Sequence, residues 1–151
     1  MQIEQGPSSE SALRRVRIEQ LPITHEDPRR SFTEFFDSNL LPADLGPVKI
    51  GGVKLMDITQ PKEGEDVVVG GHWEQATEVI WVREGEISSL KLADINTREE
   101  ALYENLPAGT RIILPPLIAH QLRFKNAASL VILNEAPFSP AKLQIYPPCA
   151  T

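Results

Sequence analysis

Gly70-Gly71-His72-Trp73-Glu74-Gln75-Ala76-Thr77-Glu78-Val79-Ile80-Trp81-Val82-Arg83-Glu84-Gly85 is the stretch on which the reading of this chain turns. It gathers His72, Glu74 and Glu78 into a short span, then runs through β-branched and aromatic residues and stops at Gly85. Imidazole and carboxylate at that density suit a first-row transition metal, because they are its usual nitrogen and oxygen ligands. Side chains in a strand alternate faces, so residues two apart share one. His72 and Glu74 have the same parity, as do Glu78, Ile80 and Val82, and an uninterrupted strand would point all of them to one side. Downstream, His120, Leu122 and Phe124 repeat the arrangement, with a polar group first and apolar residues deeper. A barrel with ligands near its mouth and an apolar interior would read this way.

Working outward, short β-rich segments lie on both sides. Upstream they are 15–20, 31–36 and 48–59, with a bend at Gly51-Gly52, followed by a turn over 61–64 and the run Val67-Val68-Val69. Residues 24–30 read as a charged turn and 38–47 as a loop, with Leu40 and Leu41 in a short helical turn. Downstream the strands are 86–94, 99–106, 111–114, 119–124, 129–133 and 143–146, with a turn over 107–109. About ten short strands separated by turn signals predict an all-β fold, closed or in two sheets. Thirteen prolines and nine glycines supply the punctuation. Residues 1–14 lack periodicity and read as a flexible segment, leaving 15–151 as one domain.

Composition narrows the partners. A length of 151 residues favours a single domain with a real core. The net charge of −6, with no basic stripe, argues against a nucleic-acid backbone as the main partner. A small anion needs just one or two well-placed arginines. Cys149 is the single cysteine, a tail residue, so no intrachain disulfide or CxxC zinc site forms and a cytoplasmic location is expected. The polar N-terminus does not read as a signal peptide, and no apolar run is long enough to span a membrane.

These residues resemble the cupin superfamily of small jelly-roll barrels. Its first motif is His-x-His, three or four residues, Glu, six residues, Gly. His72, Glu78 and Gly85 match it, while Glu74 stands in place of the second His and Asp66 in place of the leading Gly. In the second motif Gly109, Pro115 and His120 match, with Leu117 in a Gly position and Phe124 in an Asn position. Asp27-Pro28-Arg29 with Ser31-Phe32-Thr33-Glu34-Phe35-Phe36 resembles the entry of cupins acting on nucleotide-linked sugars. Gly71-His72-Trp73, Pro115-Pro116 and the run Asn134 to Pro140 resemble the C-terminal cupin domain of capsular polysaccharide assembling proteins, itself similar to deoxysugar 3,5-epimerases and 3,4-ketoisomerases. The resemblance covers 16–146 and lacks the reductase domain of the capsular proteins. It implies a single-domain jelly roll, a homodimer and a nucleotide-linked sugar as substrate.

Several roles stay open at this level. His72, Glu74, Glu78 and His120 form a candidate site for a divalent metal (Zn, Mn or Fe), with no other cofactor implied. The alternative is a metal-free polar pocket with Glu74 outside. Epimerisation or ketoisomerisation beside a carbonyl passes through an enolate and needs a base and an oxyanion stabiliser. His72, Glu74 and His120 are the candidate catalytic residues. Arg29 is a candidate for a substrate phosphate, or else a solvated turn residue. Tyr103 is a candidate for contact with the substrate or for proton donation, as is Tyr146; packing at a barrel edge is the alternative for both. Trp73 and Trp81 have the opposite parity and read as packing residues, Arg123 as outward-facing and His25 as surface. A non-catalytic metal- or small-molecule-binding cupin and a metal-dependent oxygenase are the competing functional readings.

Overall fold

In a computed structural model the chain is described over residues 11–37, 41, 43–45, 48–135 and 144–146. Two five-stranded antiparallel sheets face each other as a jelly roll. The first holds β1 (Arg17–Gln20), β9 (Thr110–Leu114), β6 (Glu78–Glu84), β11 (Ala128–Asn134) and β4 (Gly52–Ile58), in that order. The second holds β12 (Gln144–Ile145), β5 (Val67–Trp73), β10 (Ile118–Phe124), β7 (Glu86–Asp94) and β8 (Glu100–Pro107). A separate hairpin joins β2 (His25–Asp27) to β3 (Arg30–Phe32).

The period-two pattern explains the core. Ile132, Ile80 and Ile112 stand side by side across β11, β6 and β9, and Leu122 and Leu90 across β10 and β7. With Val82, Leu92, Phe124 and Leu130 they fill the space between the sheets, all buried. Burying an aliphatic or aromatic side chain of this size contributes about 1.5–3 kcal/mol, so this interior is the main stabilising term.

Four expectations are corrected. The stretch from His72 to Glu78 is not one strand: β5 ends at Trp73, a bend follows, and β6 begins at Glu78 in the opposite sheet. The strand expected over 31–36 ends at Phe32. Phe35 and Phe36 instead cover the outer face of the first sheet at Val79, Ile113 and Leu133, and Phe35 stacks on Trp81 at 4.9 Å. The charged turn over 24–30 is largely the β2–β3 hairpin, tightened where Asp27 Oδ1 accepts from the Arg29 and Arg30 amides. The last part of the expected flexible segment is packed. Ser11 caps a 3-10 turn over Ala12–Arg15, Ala12 and Leu13 are buried, and Asp94 Oδ2 accepts from the Ala12 amide at 2.6 Å. Residues 1–10, Leu40, Leu143 and Cys149 lie outside the described residues.

Candidate functional site

The site forms where the two sheets close on each other, and β5 is shaped to reach it. Gly70 and Gly71 both have positive φ, at 99° and 84°. A Cβ on Gly70 would meet the His120 carbonyl oxygen at 2.5 Å, so this close approach admits glycine alone. The ladder between β5 and β10 shifts register between His120 and Gln121, and the result sets His72 directly opposite His120. Their rings meet edge to face with centroids 4.7 Å apart.

Across the gap, the first sheet supplies the acidic partner. Glu78 opens β6 and lies directly across from Asn134, the last residue of β11. Asn134 Nδ2 donates to Glu78 Oε2 at 2.9 Å. The other oxygen, Oε1, lies 3.7 Å from His120 Nε2, an electrostatic contact beyond hydrogen-bond reach. Glu78, His120 and Asn134 are 5%, 5% and 6% exposed, so this chain of polar groups is shut away from water.

Lys54, Met56, Ile80 and Ile132 of the first sheet and Val69, Gly70, His72 and Leu122 of the second line a small cavity of about 40 Å³, which Glu78 and His120 also border. A second hollow, lined by Glu74, Ala76, Leu114, Pro115 and Ile118, lies against the same Glu78–His120 pair.

Burial sets the protonation states. It pushes the His120 imidazole down to about 4, so His120 is neutral at pH 7. His72 is half-buried and is also lowered, by burial first and by the neighbouring His120 second. Burial raises Glu78, while the positive charge of Lys54 and the hydrogen bond from Asn134 act in the other direction. Glu74 is raised by burial and by Glu78. A neutral imidazole bordering a cavity, backed by a buried carboxylate, can remove a proton from carbon when that carbon is acidified by a carbonyl.

The structure therefore brings His72, Glu78 and His120 together, with Glu74 at the adjoining hollow. It does not bring Arg29 or Tyr103 to them. Arg29 lies in the exposed β2–β3 turn. Tyr103 stands opposite Leu90 on β8, an edge strand, and is 36% exposed. Tyr146 donates its amide to Gly71 and packs with Trp73, Ala93 and Ala119 on the outer face of the second sheet. Arg123 pairs with Asp66 at 3.3 Å, Arg111 with Glu19 at 3.1 Å, and His25 is largely exposed.

The four candidate ligands do not converge on one point. Among the described residues no three His, Cys, Asp or Glu side chains are gathered as ligands of a single ion. Glu78 faces His120 with one oxygen and holds Asn134 with the other. This arrangement does not fit a four-coordinate metal site.

Two residues of the site were missed by sequence reasoning. Lys54 shares parity with Met56 and Ile58, whose side chains turn to the core, and that alternation is the signal that places a lysine inside the barrel. Asn134 heads the run to Pro140 that resembles the capsular cupin domain, but that resemblance gives it no role at the site.

No family model and no curated protein matches the sequence. Solved structures do match the fold. One is ChmJ, a 3'-monoepimerase from Streptomyces bikiniensis in complex with dTDP-quinovose, at a TM-score of 0.70 and 16% identity, over 87% of this chain and 69% of that one. Another is the dTDP-4-dehydrorhamnose 3,5-epimerase of Bacillus anthracis with TDP and PPi bound, at a TM-score of 0.71 and 13% identity, over 91% and 81%. A third is a variant of the 3,4-ketoisomerase QdtA from Thermoanaerobacterium thermosaccharolyticum in complex with TDP-4-keto-6-deoxyglucose, at a TM-score of 0.62 and 15% identity, over 85% and 86%. The chain has the cupin jelly-roll fold that these proteins share.

Proposed function

We propose that this protein is an isomerase that moves a proton on carbon beside the carbonyl of a nucleotide-linked keto-sugar. The observation that carries the reading is His72, a half-buried imidazole held below its ordinary pKa, facing a cavity between two sheets. The kinds of protein that share the fold supply the substrate class. In the proposed reaction His72 takes the proton from the carbon next to the carbonyl, and the bond pair moves into an enolate. Lys54 provides a positive charge in the same cavity and offsets the charge that develops. Asn134 holds Glu78, Glu78 faces His120, and the His120 ring braces His72 edge to face. Glu74, half-buried at the adjoining hollow, is placed to pass protons between this cluster and water.

The enzyme is proposed to act as a homodimer in the cytoplasm, in the supply of deoxysugars or polysaccharide precursors; light scattering in solution checks the dimer. The test of the reaction uses TDP-4-keto-6-deoxyglucose in deuterated water, followed by NMR. Deuterium enters the carbon beside the carbonyl with the native protein and not with the double variant His72→Ala, His120→Ala. No exchange with the native protein, at any concentration at which the sugar nucleotide binds, leaves a non-catalytic binding protein instead.

A further inference from the structure

Building on that reading, we infer that Ile145 is a specificity-determining residue: it packs on the methyl group of a 6-deoxy sugar beside His72 and disfavours a hydroxymethyl group in its place. Ile145 is 75% exposed, the most of any large apolar side chain among the described residues. Its partner on the ladder from β12 to β5 is His72. The Tyr146 amide donates to the Gly71 carbonyl, so Tyr146 and Gly71 form the hydrogen-bonded pair. Ile145 and His72 are then the adjacent non-hydrogen-bonded pair, the kind in which opposed side chains approach most closely. Tyr146 turns outward to pack with Trp73, Ala93 and Ala119, which leaves Ile145 on the face that His72 takes.

Ile145, His72, His120 and Leu92 stand in one row across the second sheet. The row runs from exposed to buried. His120 and Leu92 are closed off from water, so a ligand reaches His72 from the Ile145 end. The cavity on the inner side of His72 measures about 40 Å³. Pockets that enclose an organic ligand run to about 300–1,000 Å³. It has room for a carbonyl oxygen and not for a sugar ring. The ring therefore lies outside it, against the sheet edge that β12 forms. Directly opposed side chains on paired strands stand about 5 Å apart, so a ring whose reacting carbon meets His72 also meets Ile145.

A nucleotide-linked keto-sugar offers an isoleucine little to pack on. Its phosphates are charged and its ring carries hydroxyls. In a 6-deoxy sugar with the carbonyl at C4, the exception is the methyl on C5, the carbon next to the carbonyl. Against Ile145 that methyl leaves water at no polar cost. A hydroxymethyl group in the same place gives up hydrogen bonds to water, and the isoleucine side chain returns none.

Calorimetric titration with dTDP-quinovose and dTDP-glucose tests this, because the two differ only in the oxygen at C6. The native protein is expected to bind dTDP-quinovose about tenfold more tightly. Ile145→Ala should bring that ratio below about threefold and Ile145→Val should keep most of it, while dTDP alone binds all three proteins within about twofold. No preference in the native protein, or an unchanged ratio in Ile145→Ala, would overturn the proposal. So would equal weakening of dTDP and both sugar nucleotides by Ile145→Ala, which would place the side chain against the nucleotide. Loss of a dimer by Ile145→Ala in light scattering, with the ratio kept, would assign Ile145 to a contact between copies instead. If the native protein binds neither sugar nucleotide, the functional reading beneath the proposal falls with it.

Discussion

His120 should make this protein sensitive to mild acid, by an amount that follows from its burial. In the unfolded chain its imidazole ionises near 6.5; in the folded chain burial lowers this to about 4. Because the folded pKa is the lower one, the unfolded state binds more protons between these values, and stability falls as pH falls from about 6.5 toward 4. At pH 7.5 the effect is close to zero. At pH 5 an unfolded imidazole is almost fully charged and the folded one almost fully neutral, and the lost stability is about 2 kcal/mol. Glu78 and Glu74 work in the opposite sense, because carboxyls raised in the folded state favour it more as pH falls. Comparing the native protein with His120→Gln cancels those contributions to first order. Urea unfolding of both proteins at pH 7.5 and pH 5 is the assay. The native protein is expected to lose about 2 kcal/mol more than the variant over that interval. Parallel losses would mean that His120 titrates as a solvated imidazole, and the closed end wall of the site would be wrong.

Three further outcomes are expected. The acid limb of the pH profile for α-proton exchange should fall below 6.5, since His72 must be neutral to act and its pKa is lowered by burial and by His120; a limb at or above 6.5 would assign the base elsewhere. Asp94→Ala should cost about 3 kcal/mol or more in chemical unfolding, because this buried carboxylate accepts from the Ala12, Asn96 and Thr97 amides at 2.6, 2.7 and 3.0 Å and charged acceptors are costly to remove. Leu117 has a left-handed φ of 68° and donates its amide to the Glu74 carbonyl at 3.0 Å. Leu117→Gly should therefore change stability by less than about 1 kcal/mol, while the β-branched Leu117→Val should cost more than about 1 kcal/mol; equal costs by thermal unfolding would show that the side chain and not the backbone matters there.

What was legible in the sequence divides along a physical line. Which face a side chain takes is a local property of a strand, and the alternation at Ile80–Val82 and His120–Leu122–Phe124 points those residues inward as the sheets require. Which strand lies alongside is not local. The run from His72 to Glu78 reads as continuous because the bend between them contains no glycine or proline, yet it carries the chain from one sheet to the other. That crossing turns a supposed row of ligands into two facing walls, with imidazoles on one and carboxylate and lysine on the other. Arg29 and Tyr103 stand apart from these walls for the same reason, since a residue type suited to a substrate says nothing about where the hairpin or edge strand bearing it is docked. Lys54 was within reach, because its parity with Met56 and Ile58 is local information of the usable kind. Asn134 was not, since its role exists only through a register that sets it opposite a residue 56 positions away. The chemistry of the site is thus a product of pairing more than of motif. His72 gains a braced position from its strand neighbour, Glu78 is held by its own, and Lys54 lines the same cavity as His72 from the other sheet.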